Sequence, residues 1–402
     1  MKRFLDKYVA FVREPDVARL LLVALLSRMP VGMGGFALLM FLRTELGDYA
    51  RAGAAVGVQL IALAFAAPVM GRLIDRVGGR MPLIVTGTIQ PLAMLAVMWA
   101  TLSHQSYAVI LVLAAFSGIF ATPITTLTRT AWRHRFHDEE NRRTAFALDA
   151  VMIEINFTIG PAIIAVILAA ANATIAYGTV IGFVIASVFI FMFSPALKYF
   201  GRSEPMQRHM LGPLTEPRLL LLFTSTFGLT MAFGVIEVGY PALATSLSVP
   251  ALAGVLLSVN SIGSAVGGAI FGGLHLSMRI ERQLATTMGL MAIPLMLHAI
   301  FLQPPVFGVV AFFCGLFIAP SIASQSVLVS RLAPSHYAAE AFTWSSCFIV
   351  SGLGAGMAVA GVLVETTGLR SAFIFGALVV SAMSILALQI APSRETREAA
   401  AG

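Results

Sequence analysis

The sequence predicts an all-helical membrane protein, with twelve transmembrane helices arranged in two pseudo-symmetric six-helix bundles. Three observations predict this class: the composition, a series of long apolar runs, and an internal repeat. Of the 402 residues, 58% are hydrophobic and only 11% are charged. Because so few charged side chains cannot cover a soluble globule of this size, lipid must be the main solvent.

Twelve apolar runs are long enough to cross a bilayer. A helix needs about 20 apolar residues to span a hydrocarbon core of ~30 Å. Between charged or Gly- and Pro-rich punctuation, the runs lie at 18–42, 52–70, 81–101, 107–128, 144–169, 174–194, 218–241, 251–273, 283–302, 306–330, 342–364 and 370–391.

An internal repeat divides the chain into two parallel halves. Ser117–Pro123 reads SGIFATP, and Cys314–Pro320 reads CGLFIAP at an offset of 197 residues. Further echoes at offsets of 196 to 202 are Ala145-Phe146 with Ala341-Phe342, Glu14-Pro15 with Glu216-Pro217, and Gly71 with Gly272. Such halves are typical of transporters whose substrate site lies at the repeat interface. We predict an N-terminal bundle at 1–194, a cytoplasmic linker at 195–216 and a C-terminal bundle at 217–402.

Basic residues predict the orientation. If both termini are cytoplasmic, 22 Lys and Arg residues lie on that side, whereas Arg43, Arg51 and Arg370 lie on the other. This asymmetry follows the positive-inside rule, and it accounts for the net charge of +7 without a nucleic-acid partner. We expect a multi-pass monomer of the cell (inner) membrane with both termini cytoplasmic.

Several enzyme classes are excluded by missing motifs. None of the lysines Lys2, Lys7 and Lys198 follows a glycine, so the phosphate-cradling loop of an ATPase is absent from the sequence. The sequence also contains no Gly-x-Ser-x-Gly elbow and no His-Glu-x-x-His helix. Cys314 and Cys347 both fall within apolar runs and do not have metal-ligand spacing. We therefore predict no catalytic residues, no cofactor and no metal, and transport driven by a gradient.

The loop after the second run carries the most specific motif. Gly71–Arg80 reads GRLIDRVGGR, in which glycines permit a tight turn and Asp75 can meet the positive end of a neighbouring helix. This loop resembles the signature of the major facilitator superfamily. The resemblance implies a gating latch that holds the halves together on the cytoplasmic side, with Arg76, Arg129 or Arg133 as the partner of Asp75. Alternatively, these charges only enforce topology. The predicted latch residues are Gly71, Asp75, Arg76, Gly78, Arg80, Arg129 and Asp149.

The fourth and fifth runs extend the resemblance towards the drug and proton antiporter branch of that family. Gly160 and Pro161 match the glycine-proline pair of that branch, which implies a hinge. The surrounding pattern is partial, because Asn156 stands where a glycine is expected. Ala114 occupies the position at which the branch carries an arginine, which argues against the usual proton relay through the fourth helix.

Ionisable residues within the membrane need a partner, a water-filled cavity or a task. Arg28 and Glu154 each lie ten residues past the start of their runs, about 15 Å in from the cytoplasmic side. The family fold places the first and fifth helices side by side, so we predict an Arg28–Glu154 ion pair near mid-membrane. The pair is either static or functional. Asp149 lies only about 7 Å inside the fifth helix and is assigned to the latch.

Glu237 lies in the outer part of the seventh helix, and no basic residue shares its depth. It is a candidate proton carrier or, alternatively, a carboxyl that faces the external vestibule. Asn156, Asn260 and Gln325 are further candidates for substrate contact, and so are Gln59 and Gln90, although each such residue can equally join two helices.

Glycines predict where helices bend and where the halves meet. Pro30 with Gly32 to Gly35, and Gly228 with Gly234 to Pro241, favour bends in the first and seventh helices. The resemblance to the major facilitator superfamily implies that the eighth and eleventh helices meet the fifth and second across the two halves, where the small residues of two glycine ladders would let the halves rock. Alternatively, the ladders serve close packing of helices. These ladders are Gly263, Gly267, Gly268 and Gly272, and Gly352, Gly356, Ala360 and Gly361.

The sequence thus predicts a secondary active transporter that exports a small organic molecule against proton entry by alternating access. Its predicted partners are a small-molecule substrate, protons and the lipid bilayer. Proton-coupled uptake of an organic anion bound by Arg28 is an alternative. Two further alternatives are a lipid flippase and a non-transporting membrane sensor with the same fold.

Overall fold

The computed structural model describes residues 11, 14, 16–136, 138–194, 196–197, 212–274, 276–334 and 338–390. Most of the predicted linker 195–216 therefore lies outside the described residues. The helices are Val17–Ser27, Met29–Leu46, Tyr49–Val77, Arg80–Leu102, Tyr107–Ile119, Ile124–Arg135, Glu139–Ala170, Ala173–Met192, Pro217–Ser246, Ala251–Gly273, Ile280–Ile300, Pro304–Gly315, Ile318–Leu332, Ala338–Thr366 and Leu369–Ala387, with a 3-10 turn at Gly212–Thr215.

Twelve spans in the described part of the chain are long and apolar enough to cross a membrane, and each coincides with one of the predicted runs. The predicted fold class, twelve transmembrane helices in two six-helix bundles, is therefore confirmed. Spans are numbered below in chain order. The first, fourth and tenth spans each consist of two helices in succession, whereas the others are single helices.

The three breaks share one cause, which is a proline at the start of the following helix. Pro30 and Pro320 lie in the first turn of their helices and Pro123 caps the next one, positions where a missing N–H costs nothing. The breaks of the fourth and tenth spans fall within the repeated SGIFATP and CGLFIAP segments. The seventh span, for which a bend was also predicted, is not divided in this way, since Pro217–Ser246 is one helix with Pro241 inside it.

Close backbone contacts fix how the spans cross within each half. A Cβ atom at Gly118 in the fourth span would overlap the carbonyl of Gln59 in the second. A Cβ atom at Gly315 in the tenth span would likewise overlap the carbonyl of Asn260 in the eighth. The two contacts occupy equivalent places in the repeat, so the halves share one internal packing rule.

The halves meet through the second and eleventh spans and through the fifth and eighth. Gly361 packs on the backbone of Tyr49, and Gly354 packs on that of Gly57. Gly254 packs on the backbone of Pro161.

The predicted glycine ladders are mostly used elsewhere. Gly263 and Gly267 face the tenth span, and Gly352 and Gly356 face the seventh. These four glycines therefore pack helices within the C-terminal half and do not form the surface between the halves that the resemblance implied.

Several hydrogen bonds between the halves lie towards one membrane face, opposite to the face that carries the chain ends, whereas the Cys347 thiol donates to the Ala64 carbonyl at 3.0 Å deeper in the protein. We call these two faces the opposite face and the terminal face. Tyr49 donates its backbone N–H to Glu365 Oε1 at 2.6 Å, and its hydroxyl lies 2.7 Å from Thr245 Oγ1. Ser258 Oγ donates to the Thr158 carbonyl at 2.8 Å. Contacts of this kind close the opposite face between the halves.

The glycine contact predicts a stability difference between two conservative variants. We expect Gly118→Ala to lower the free energy of unfolding by about 1–3 kcal/mol, because the methyl group forces the second and fourth spans apart. Gly272→Ala is the matched control, since Gly272 is helical and has open space around it. Thermal unfolding in detergent micelles checks this, and equal unfolding temperatures for the two variants would contradict it.

Candidate functional site

A cavity of about 400 Å³ lies mainly in the N-terminal half, at the break of the fourth span. Its walls come from the first, second, third, fourth and sixth spans, and the eleventh span closes one side. The lining residues are Ser27, Pro30, Val31, Gly34, Gly35, Gln59, Leu60, Leu63, Ala64, Ala66, Ala67, Met70, Gln90, Met94, Gly118, Ile119, Ala121–Thr126, Tyr177, Val180, Val184, Ser187, Ser346, Cys347 and Val350.

The lining is apolar with scattered neutral polar groups. Asp, Glu, Lys, Arg and His are all absent from these lining residues. Burying a charge in such a wall without a partner is costly, whereas amide and hydroxyl groups can hydrogen bond an uncharged ligand. The cavity therefore favours an uncharged, moderately apolar molecule.

Two glutamines of the lining brace the fourth span on either side of its break. Gln59 Nε2 donates to Ser117 Oγ at 2.9 Å, before the break. Gln90 Oε1 accepts the backbone N–H of Thr122 at 2.8 Å and its hydroxyl at 2.7 Å, after the break. Gln90 thus satisfies an N–H that the broken helix leaves without its usual carbonyl.

A buried ion pair lies beside the cavity. Arg28 Nη1 is 2.6 Å from Asp149 Oδ1, and each side chain is 1% exposed. Arg28 Nη2 also donates to the Thr125 carbonyl at 3.3 Å, in the cavity wall. Arg129 Nε approaches the other Asp149 oxygen at 3.3 Å. The pair therefore ties the break of the first span to the fourth and fifth spans.

The predicted Arg28–Glu154 pair is wrong, and the partner of Arg28 is Asp149. The sequence prediction rests on the equal depths of the Arg28 and Glu154 Cα atoms in the membrane. Side chains of a helix, however, point towards the N-terminus of that helix. The long arginine side chain therefore carries its guanidinium several ångströms towards the terminal face. Asp149 lies five residues before Glu154 on the same helix, or about 7.5 Å closer to that face.

Glu154 and Glu237 are partly buried. Among the described residues no hydrogen bond or ion pair reaches either carboxyl group. Asn260 Nδ2 donates to the Ala311 carbonyl at 2.9 Å, and Gln325 Nε2 donates to Ser345 Oγ at 2.6 Å, so both side chains join helices. Asn156 is 1% exposed, and neither polar atom of its side chain has a partner within the described part. None of the six residues predicted for substrate or proton coupling lines the cavity.

The predicted latch is described only in part. The side chains of Asp75 and Arg133 lie outside the described residues. Gly78 ends the second span with φ 83°, and a Cβ atom at Gly71 would meet open space. Arg76 and Arg80 are exposed. The predicted hinge at Gly160 and Pro161 lies within one continuous helix, where Gly160 packs on the backbone of Gly32.

The sequence analysis did not single out the buried residue His298. His298 is 0% exposed and lies in an aromatic cluster of the C-terminal half, with its ring centroid 5.3 Å from Tyr240, 4.3 Å from Phe307 and 5.0 Å from Phe373. Its only sequence signal is a single histidine in the last turn of the ninth span. The role of Gln90 could have been suspected from Pro123, because a helix that restarts at a proline leaves backbone N–H groups that need a polar partner.

The fold and the cavity define a membrane carrier with two six-helix halves, and comparisons with known proteins agree. A model of the major facilitator superfamily matches residues 20–355 and 222–402. No curated protein matches the chain. A solved mutant of the nucleoside transporter NupG is similar over 93% of this chain and 99% of its own, with a TM-score of 0.76 and 13% identity. The human organic anion transporter MFSD10 (TETRAN) is similar over 93% and 100%, with a TM-score of 0.64 and 17% identity.

The chain belongs to the major facilitator superfamily. It is therefore a multi-pass membrane transporter of small molecules and not an enzyme.

The buried Arg28–Asp149 pair predicts that the Asp149 carboxyl group contributes more to the stability of the fold than the Glu154 carboxyl group does. We expect Asp149→Asn to lower the free energy of unfolding by about 3–5 kcal/mol, because it leaves the Arg28 charge buried without its counter-ion. Glu154→Gln is the matched control and should change it by about 0.5 kcal/mol or less. Thermal unfolding in detergent compares the stabilities of the two variants. A loss of stability in Glu154→Gln as large as that in Asp149→Asn would favour the Arg28–Glu154 pair predicted from the sequence.

Proposed function

We propose that this protein exports an uncharged, moderately apolar small molecule in exchange for protons, by alternating access. The observation that carries the proposal is the cavity of about 400 Å³ without an ionisable carboxyl, amine, guanidinium or imidazole in its lining. A pocket of this size and chemistry suits a small organic ligand held by apolar contacts and a few placed hydrogen bonds.

Glu154 and Glu237 are the proposed proton carriers. Both lie within membrane spans, and in the described part of the chain neither has a cation that would hold it ionised. Ionisable residues at such depth usually serve ion pathways or proton relays. The proposed efflux direction rests on the partial antiporter pattern around Gly160 and Pro161.

Uptake of an organic anion is less well supported. The alternative requires a cation for the substrate, and Arg28 was its candidate. Arg28 already holds Asp149 at 2.6 Å, and the lining offers no other cation. MFSD10 is named as an organic anion transporter and NupG as a nucleoside transporter, and an uncharged nucleoside suits this cavity better than an anion.

Alternating access is proposed to arise from rocking of residues 1–194 against 217–402. The cross-half contacts at Tyr49, Glu365 and Thr245 close the opposite face in the present state. The basic loops assign the terminal face to the cytoplasm under the positive-inside rule. A monomer in the cell (inner) membrane accommodates this cycle.

Proton flux in proteoliposomes tests the coupling. Under an imposed pH gradient, a panel of uncharged, cationic and anionic compounds is added to the full-length protein, and internal pH is followed. We expect uncharged compounds to evoke proton flux, and Glu154→Gln or Glu237→Gln to abolish it because an amide cannot carry the proton. Gln325→Leu is a control for a helix-joining residue, in which evoked flux should persist.

Evoked flux that survives in both glutamine variants would refute these carriers. Flux evoked only by anions, and lost in Arg28→Ala, would favour the uptake alternative. Silence for every compound with demonstrated binding would favour a lipid flippase or a sensor.

A wedge at the closed face tests alternating access. Gly57 packs on the backbone of Gly354 across the halves, so Gly57→Trp should hold the opposite face open and abolish transport while leaving binding intact. Gly182→Trp is the matched control, because Gly182 has open space around it. Normal transport by Gly57→Trp would show that transport does not require this contact to close.

A further inference from the structure

The two cavity glutamines have amide orientations that the chain itself fixes. A backbone N–H can only donate, so the Gln90 atom facing Thr122 must be the oxygen. The Gln90 NH₂ group therefore points away from Thr122. It has no partner among the described residues, and it is not one of the buried atoms closed off from solvent.

The orientation of Gln59 follows from Ser117. The Ser117 hydroxyl donates its single hydrogen to the Ala114 carbonyl at 2.8 Å, so it must accept from Gln59. Gln59 therefore turns its NH₂ group to Ser117 and leaves Oε1 as an acceptor. Within the described part of the chain this oxygen also has no partner, and it is accessible.

Several other hydroxyls of the lining are already engaged within the chain, although the Tyr177 hydroxyl has no partner among the described residues. The hydroxyls of Ser27, Ser187 and Ser346 each donate to a backbone carbonyl one turn earlier in their own helix. The fixed NH₂ group of Gln90 and the fixed oxygen of Gln59 are thus the most defined polar features of the cavity.

We propose that Gln59 and Gln90 together recognise an uncharged ligand group that carries an N–H next to a C=O, as in a lactam, an imide or a pyrimidine. Gln59 Oε1 accepts the ligand N–H, and Gln90 Nε2 donates to the ligand carbonyl. Both glutamines line the same cavity, and both are anchored to one short segment of the fourth span, Gln59 at Ser117 and Gln90 at Thr122. This assignment rests on the proposed function, in that the cavity is taken as the substrate site.

Equilibrium binding of three matched probes to the purified full-length protein tests the assignment. The probes are 4-phenyl-2-pyrrolidinone, its N-methyl derivative, and the corresponding lactone, which lacks the N–H. We expect the lactam to bind about tenfold more tightly than either analogue, because each analogue leaves Gln59 Oε1 unpaired.

Variants separate the two glutamines. In Gln59→Leu the lactam should fall to the affinity of the lactone, while the lactone affinity is unchanged. Gln90→Glu keeps an oxygen facing Thr122 but removes the NH₂ group, and it should weaken lactam and lactone alike by about tenfold. Gln325→Leu should change none of these affinities.

Equal binding of the three probes, a preference that persists in Gln59→Leu, or no binding of the lactam would each overturn the assignment. This failure is distinguishable from failure of the proposed function. Selective binding without evoked proton flux leaves the glutamine pair standing and refutes coupled transport. Proton flux that is evoked equally by compounds with and without an N–H beside a C=O leaves coupled transport standing and refutes the glutamine pair.

Discussion

The contact between Gly118 and the carbonyl of Gln59 is the constraint on which the rest of the site depends. Because Gly118 has no side chain, the fourth span lies directly on the second, and Ser117 comes within hydrogen-bond distance of the Gln59 amide. The span then breaks before Pro123, and the cavity lies at this break. A larger residue at position 118 would separate the helices, release Gln59 and change the cavity wall together.

The Arg28–Asp149 pair supplies a second constraint at the same place. A buried pair seldom adds net stability, but removing one member leaves an uncompensated charge, so the pair fixes geometry more than it adds energy. Here it joins the break of the first span to the fifth, and Arg28 also holds the Thr125 carbonyl beyond the break of the fourth. Two broken spans are thereby held in one arrangement around the cavity.

Sequence reasoning reached the spans and the repeat, because apolar run length and chain self-similarity are properties of the chain alone. It failed where side-chain reach decides the outcome. Arg28 and Glu154 have matching Cα depths, yet the length and direction of the arginine side chain select Asp149. It also assigned Gly263 and Gly356 to the wrong neighbours, since spacing shows that a helix face is small but not which helix meets it. The cavity lies at the break of the fourth span, and helix propensity alone does not show where in the span that break falls.

The repeat keeps one close helix contact in both halves, at Gly118 and at Gly315, but the polar residues at the break of the fourth span are not repeated in the tenth. The CGLFIAP break places Ala319 where the N-terminal half has Thr122, and the corresponding stretch of the ninth span, Met291–Ile293, is apolar where Gln90 stands. Without an amide to satisfy the break, a polar ligand would gain little there. The C-terminal half also contains the aromatic cluster in which the His298 ring packs against Phe307 and Phe373. The two halves therefore share one packing frame and differ in the few residues that make the break of the fourth span polar and that of the tenth apolar.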